Sequence, residues 1–221
     1  MSITKFFFRG GYNLSSIPFR GFLLEGPPGN GKTEIAKQAV RRLSHEVGEV
    51  YLRFVDSARV AKPEWGKAEE SLAKQFEEEP GKHVVVLLDD VDCLLIKRGS
   101  EIAKEWHYSI NALLFHILDN ISDPARILVI ATTNRPKLID YALRSRLYSI
   151  IVPPLPIEEL EEVARNLLEE SWPHSLENEK ELKDEVLREI VKELQKKKYP
   201  SIRDVQHLVV NYCIGRGIWR L

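Results

Sequence analysis

Apolar residues between positions 20 and 152 gather in five short runs: Gly21 to Leu24, Val50 to Val55, Val84 to Leu88, Ile127 to Ala131 and Leu147 to Val152. The runs are nearly continuous rather than alternating, so they predict strands covered on both faces, and the intervals between them leave room for helices. Between the second and third runs, Ala68, Leu72, Ala73 and Phe76 recur at helical spacing until Pro80-Gly81 stops the pattern. Ile110, Leu113, Leu114, Ile117 and Leu118 do the same between the third and fourth. The expected fold class is α/β, a parallel sheet sandwiched by helices in an αβα core.

The pattern changes after Pro153-Pro154-Leu155-Pro156. From there only the helical period remains, carried by Leu160, Val163, Leu167 and Leu168, then by Leu182, Val186, Leu187, Ile190, Val191 and Leu194, then by Ile202, Val205, Leu208 and Val209. A proline cluster followed by a helical bundle predicts a domain boundary. The expected organisation is an N-terminal segment over 1–20, an αβα core over 21–153 and a small helical lid over 154–221.

Polar residues where these runs end carry the candidate chemistry. The first run leads into Gly26-Pro27-Pro28-Gly29-Asn30-Gly31-Lys32-Thr33, and the helix-like stretch Glu34 to Leu43 follows. Strand, glycine-rich loop and helix in this order form a phosphate-binding loop, whose backbone amides wrap a triphosphate. Lys32 then meets the β- and γ-phosphates, while the Thr33 hydroxyl coordinates Mg²⁺.

The third run ends in Asp89-Asp90, and strand C-termini are where ligands sit in open α/β sheets. Asp89 is expected to hold the Mg²⁺ side of the site through water. Asp90, beside it, is expected to polarise the attacking water as a general base, a role typically worth ~10²–10⁴ in rate. The fourth run ends in Thr132-Thr133-Asn134, which places the Asn134 amide to bond both that water and the γ-phosphate. Arg146 follows in Ala142-Leu143-Arg144-Ser145-Arg146. It is expected to reach the phosphate of a neighbouring subunit rather than its own, and an arginine supplied in trans stabilises transition-state charge by ~10³–10⁵ in turnover.

Composition narrows the partners. The chain has 221 residues, 43% of them hydrophobic, enough to bury a proper core. A net charge of −1 gives no global positive field for nucleic acid, and the one basic stretch, Lys192, Lys196, Lys197 and Lys198, reads as a solvated helix end. Cys93 and Cys213 are the only cysteines and lie in no metal or disulfide pattern, which points to a reducing compartment. Phe6-Phe7-Phe8 is too short for a signal peptide core and no apolar run approaches bilayer length, so a cytoplasmic protein is expected.

Taken in order, these elements resemble the AAA+ ATPases, and within them the AAA family proper that includes katanin, spastin and the proteasomal ATPases. Leu88-Asp89-Asp90-Val91-Asp92 looks like the second nucleotide motif, Ala131-Thr132-Thr133-Asn134-Arg135-Pro136 looks like the sensor segment, and Lys97-Arg98-Gly99 and Asn111-Ala112-Leu113-Leu114 fall where the family has similar strings. The resemblance implies a Mg²⁺-dependent ATPase with ATP as its nucleotide, assembled as a homo-oligomeric, hexameric ring. It also assigns Asn134 as first sensor, Arg146 as arginine finger and Arg203, in Ser201-Ile202-Arg203-Asp204, as second sensor on the lid.

Trp65-Gly66 matches the loop with which the family grips polypeptide, although the aromatic directly precedes the glycine and Glu64 occupies the usual aromatic position. Met1 to Arg20, with Gly10-Gly11, is expected near the adenine, and with only a short run before the phosphate loop no folded N-terminal substrate-recruiting domain is expected. Asp90 stands where the family usually has Glu, and Arg203 is commoner in clamp-loader and initiator-like branches. The leading expectation is thus a ring-forming protein remodeller, with a DNA-associated ATP switch or a weakly hydrolysing ATP-binding scaffold as alternatives.

Overall fold

The computed structural model describes residues 19–57, 67–96, 105–121, 126–172 and 180–217. Lys97-Arg98-Gly99, Trp65-Gly66 and Gly10-Gly11 lie outside the described residues. In chain order the elements are β1 (Gly21–Glu25), α1 (Lys32–Val47), β2 (Val50–Asp56), α2 (Lys67–Lys74), β3 (His83–Asp89), α3 (Glu105–Asp119), β4 (Ile127–Thr133), α4 (Tyr141–Arg144), β5 (Tyr148–Ile151), α5 (Ile157–Ser171), α6 (Lys180–Lys196) and α7 (Ile202–Gly215).

The five strands form one parallel sheet in the order β2-β3-β4-β1-β5. Side chains alternate across it, and each face has its own core. Leu23, Val84, Val86, Leu88, Val129 and Ala131 pack on one side against Leu72 of α2 and Ile110, Leu114 and Leu118 of α3. Phe22, Leu24, Val85, Leu87, Leu128 and Ile130 pack on the other against Ala36, Val40 and Leu43, the i, i+4, i+7 stripe of α1.

The three central strands β1, β3 and β4 are buried almost throughout. The two edge strands are not: Phe54 of β2 is 47% exposed and Ile151 of β5 is 76% exposed. The expectation that every apolar run is covered on both faces is corrected here, because a sheet edge lacks a neighbour on one side. Phe76 likewise falls past the end of α2, in the turn after Lys74.

Among the described residues, two compact units emerge from the contacts: those up to Gly26 together with those of Lys32–Val152, and those after Val152 together with Pro27–Gly31. The second has a core of its own, in which Leu160, Ala164 and Leu168 of α5 meet Val186, Ile190 and Leu194 of α6 and Val205, Val209 and Cys213 of α7. A capping box starts α7, with the Ser201 hydroxyl accepting from Asp204 N and the Asp204 carboxylate accepting from Ser201 N at 2.9 Å. Burial raises the pKa of the Cys213 thiol and keeps it protonated. Among the described residues no helix is long and apolar enough to cross a membrane.

Candidate functional site

The sheet order brings the polar strand ends together. β4 lies between β1 and β3, with Leu24 level with Thr132 and Leu88 level with Ala131, so the residues after Glu25, at Asp89 and after Thr133 emerge side by side at the C-terminal edge. That edge is where an open parallel sheet offers a crevice.

Between β1 and α1 the loop turns through left-handed backbone at Gly29 (φ 80°) and Gly31 (φ 78°), a conformation that side chains with a Cβ rarely adopt. The Lys32 ammonium is buried and donates to the Gly26 carbonyl at 3.0 Å and to Asn134 Oδ1 at 2.6 Å. Thr33 Oγ1 donates to Asp89 Oδ1 at 2.7 Å. Two hard oxygens, one hydroxyl and one carboxylate, therefore meet at the start of α1, a donor set that suits Mg²⁺, which binds through one or two protein oxygens and completes its shell with water and phosphate.

Asp89 and Asp90 are joined through Thr132. The buried Thr132 hydroxyl, 1% exposed as a residue, donates to Asp89 Oδ1 at 2.8 Å and accepts from the Asp90 backbone N–H at 2.9 Å. Asp90 adopts φ 51°, ψ 57°, the one left-handed residue other than glycine among those described. Its Oδ1 accepts from Asn134 Nδ2 at 2.6 Å. The Asn134 amide thus bridges cation and acid, with its oxygen on Lys32 and its nitrogen on Asp90, and those two partners fix which end is which.

Asp92 holds the turn that carries Asn134. Its carboxylate accepts from the Asn134 backbone N–H at 3.0 Å, from the Arg135 backbone N–H at 3.3 Å and from the Thr133 hydroxyl. Thr132 and Asp92 escape a reading of the sequence alone because their roles are contacts between segments that lie about forty residues apart. The available signal is register: a hydroxyl one position past Ala131 must fall level with Asp89 once β3 and β4 pair.

The two arginines of the α4 segment are both engaged. Arg144 pairs with Glu25, 6% exposed, whose Oε1 also accepts from Ser149 Oγ at 2.8 Å. Arg146 pairs with Asp119 at the end of α3. The hydrogen-bonded guanidinium holds the Asp119 carboxyl below its ordinary pKa, and the same bond raises that of Arg146.

Within the helical unit, the Arg203 backbone N–H donates to the Gly29 carbonyl at 3.3 Å, and Asn30 Nδ2 donates to the Pro153 carbonyl at 3.5 Å. The sequence-derived residues thus fall into a joined set of Lys32, Thr33, Asp89, Asp90 and Asn134. Pro27, Pro28 and Asn30 belong to the loop grouped with the helical unit, and Arg146 stands apart on its own carboxylate.

A parallel sheet with its central strands ending in a glycine loop, an acidic pair and a polar amide defines a phosphate-loop nucleoside triphosphatase fold. Residues 22–155 match the model of the ATPase family associated with various cellular activities, AAA, and the chain belongs to that family. It is 34% identical over 128 residues to Protein SAV of Sulfolobus acidocaldarius, covering 58% of this chain and 16% of that protein. Over 140 residues it is 31% identical to an AAA ATPase forming ring-shaped complexes of Corynebacterium glutamicum, covering 60% of this chain and 26% of the relative. A protein of the same description from Corynebacterium efficiens is 32% identical over 134 residues, 57% of this chain and 26% of its own length. The matched part spans about a quarter or less of each of these relatives.

Proposed function

We propose that this chain binds ATP with Mg²⁺ and hydrolyses it within a ring of like subunits, and that the cycle moves a bound protein. The observation that carries the reading is the Lys32–Asn134–Asp90 bridge beside the Thr33–Asp89 pair. In this reading Lys32 meets the β- and γ-phosphates, and Thr33 with Asp89 would hold the metal. Asp90 is the general base and Asn134 holds the attacked and attacking groups in line. Magnesium bound with ATP supplies charge that offsets what develops on the phosphate oxygens.

Arg146 acts on the site of a neighbouring copy, and Arg203 on the second sensor's part. The relatives described as forming ring-shaped complexes support a ring, for which six subunits is the expected number. Trp65, outside the described residues, is the proposed contact to polypeptide. Lys196 bonds Glu193 and Lys197 bonds Asp204, which supports a protein substrate over nucleic acid, since those cations already have acidic partners. Sparse cysteine use agrees with a cytoplasmic setting.

Replacing Asp90 by Asn tests the reading directly. The variant should bind a fluorescent ATP analogue as the parent does and lose ~10²–10⁴ in turnover, the usual weight of a general base. Equal turnover in the two proteins removes Asp90 as the base, and absence of turnover in both leaves an ATP-binding scaffold.

A further inference from the structure

Arg144 and Arg146 lie two residues apart and are held in different ways. Arg144 is tied back to the buried Glu25 at the end of β1. Arg146 is gripped from the side by Asp119, with Nε donating to Oδ1 at 2.7 Å and Nη2 to Oδ2 at 2.6 Å. Nη1 donates to the Ala142 carbonyl at 2.8 Å, and the guanidinium sits over the Phe115 ring, 5.1 Å from its centroid.

Phe115 and Asp119 are four residues apart on α3, so one helix end presents a ring face and a carboxylate to the same guanidinium. A carboxylate at the last residue of a helix faces the negative end of the helix dipole, an unfavourable place unless a cation answers it. Arg146 is that cation. The grip is also of the kind that orients: contact through Nε and one terminal nitrogen fixes the plane of the group, while the ring restricts its tilt.

A guanidinium carries five N–H donors. Three are used by Asp119 and Ala142, and among the described contacts one hydrogen on Nη1 and one on Nη2 remain. Those two terminal nitrogens make the two-point contact by which arginine binds phosphate oxygens. The Arg146 side chain is 25% exposed, so the group is immobilised without being covered.

We propose that Asp119 is a positioning residue that holds Arg146 in one plane and rotamer, with its terminal N–H groups presented to the phosphate bound by a neighbouring copy of the chain. This rests on the trans role given to Arg146 above. An arginine side chain has large rotamer freedom, and a finger already ordered forfeits less of it when the transition state is reached. Removing the carboxylate should therefore lower turnover and leave the binding of ATP to the same subunit's loop intact.

The experiment uses the full chain and four variants: Asp119→Asn, Asp119→Glu, Arg146→Ala and Lys32→Ala. Steady-state hydrolysis is measured for each alone and for equal mixtures of the first three with Lys32→Ala, which has a dead site and an intact finger. Asp119→Asn should lose about tenfold in kcat with KM changed by less than about threefold, and Asp119→Glu, which keeps the charge, should recover most of the loss. Mixing Asp119→Asn with Lys32→Ala should restore activity above either alone, because the partner's finger completes the intact site.

Parental kcat in Asp119→Asn, with Arg146→Ala inactive, overturns the positioning role. An impaired Asp119→Asn that Lys32→Ala does not rescue, while Arg146→Ala is rescued, also overturns it and makes Asp119 a support of its own subunit's fold. Full activity of Arg146→Ala, or no rescue of that variant by Lys32→Ala, refutes the trans finger itself.

Discussion

Asp90 takes a left-handed backbone conformation, which Asp and Asn tolerate several-fold better than most side chains. The shorter acid and the tight backbone go together: a Glu at this position gains reach and meets a conformation it disfavours. The backbone N–H released by that turn is satisfied by Thr132, whose hydroxyl serves Asp89 at the same time. Thr132→Val keeps the shape and removes both bonds of the hydroxyl, each worth about 0.5–1.5 kcal/mol. We expect a drop of that size in urea unfolding, together with reduced ATP turnover, and expect Thr132→Ser to restore both. Unchanged stability in Thr132→Val would show that water replaces the hydroxyl.

At the scale of the elements, Arg53 of β2 performs the work of a helix cap. Its guanidinium donates to the carbonyls of Gln75 at 2.9 Å and Glu77 at 2.6 Å and to the Glu79 carboxylate at 2.7 Å, collecting the chain as it leaves α2. Arg53→Ala should cost about 1–3 kcal/mol in chemical denaturation, and Arg53→Lys should recover only part, since an ammonium lacks the planar fork. Hydrogen exchange over residues 74–79 should quicken in both variants; exchange as slow as in the parent would mean that the turn holds itself. Nothing in the apolar pattern marks this arginine, because its partners lie on a segment whose position only the fold sets.

That contrast explains what was legible beforehand. β1, β3 and β4 could be read to within two residues because the middle of a parallel sheet admits little but apolar side chains. Edge position is topological, so the exposure of Phe54 and Ile151 left no mark in runs that look like the others. The acidic pair, Lys32 and Asn134 were legible as strand-end and loop chemistry. Asp119, Asp92 and Glu25 were not, since each acts by reaching a residue distant in sequence.

Across the whole molecule, Pro27–Gly31 group by contact with the helical unit, although the chain that flanks them on both sides belongs to the other unit. A Cβ at Gly29 would meet Ser201 Oγ at 2.7 Å, and the Gly29 carbonyl already accepts from Arg203 N. A chain cut after Val152 retains Lys32, Thr33, Asp89, Asp90 and Asn134 and forfeits these supports. It should bind ATP roughly tenfold more weakly or worse in equilibrium titration, the loop having lost its preorganisation; equal affinity would show that the loop sets its own shape. The proline cluster that separates two sequence patterns is therefore a poor place to divide or fuse this chain, because modularity read along the backbone ends where a loop made far upstream takes its support from the start of α7.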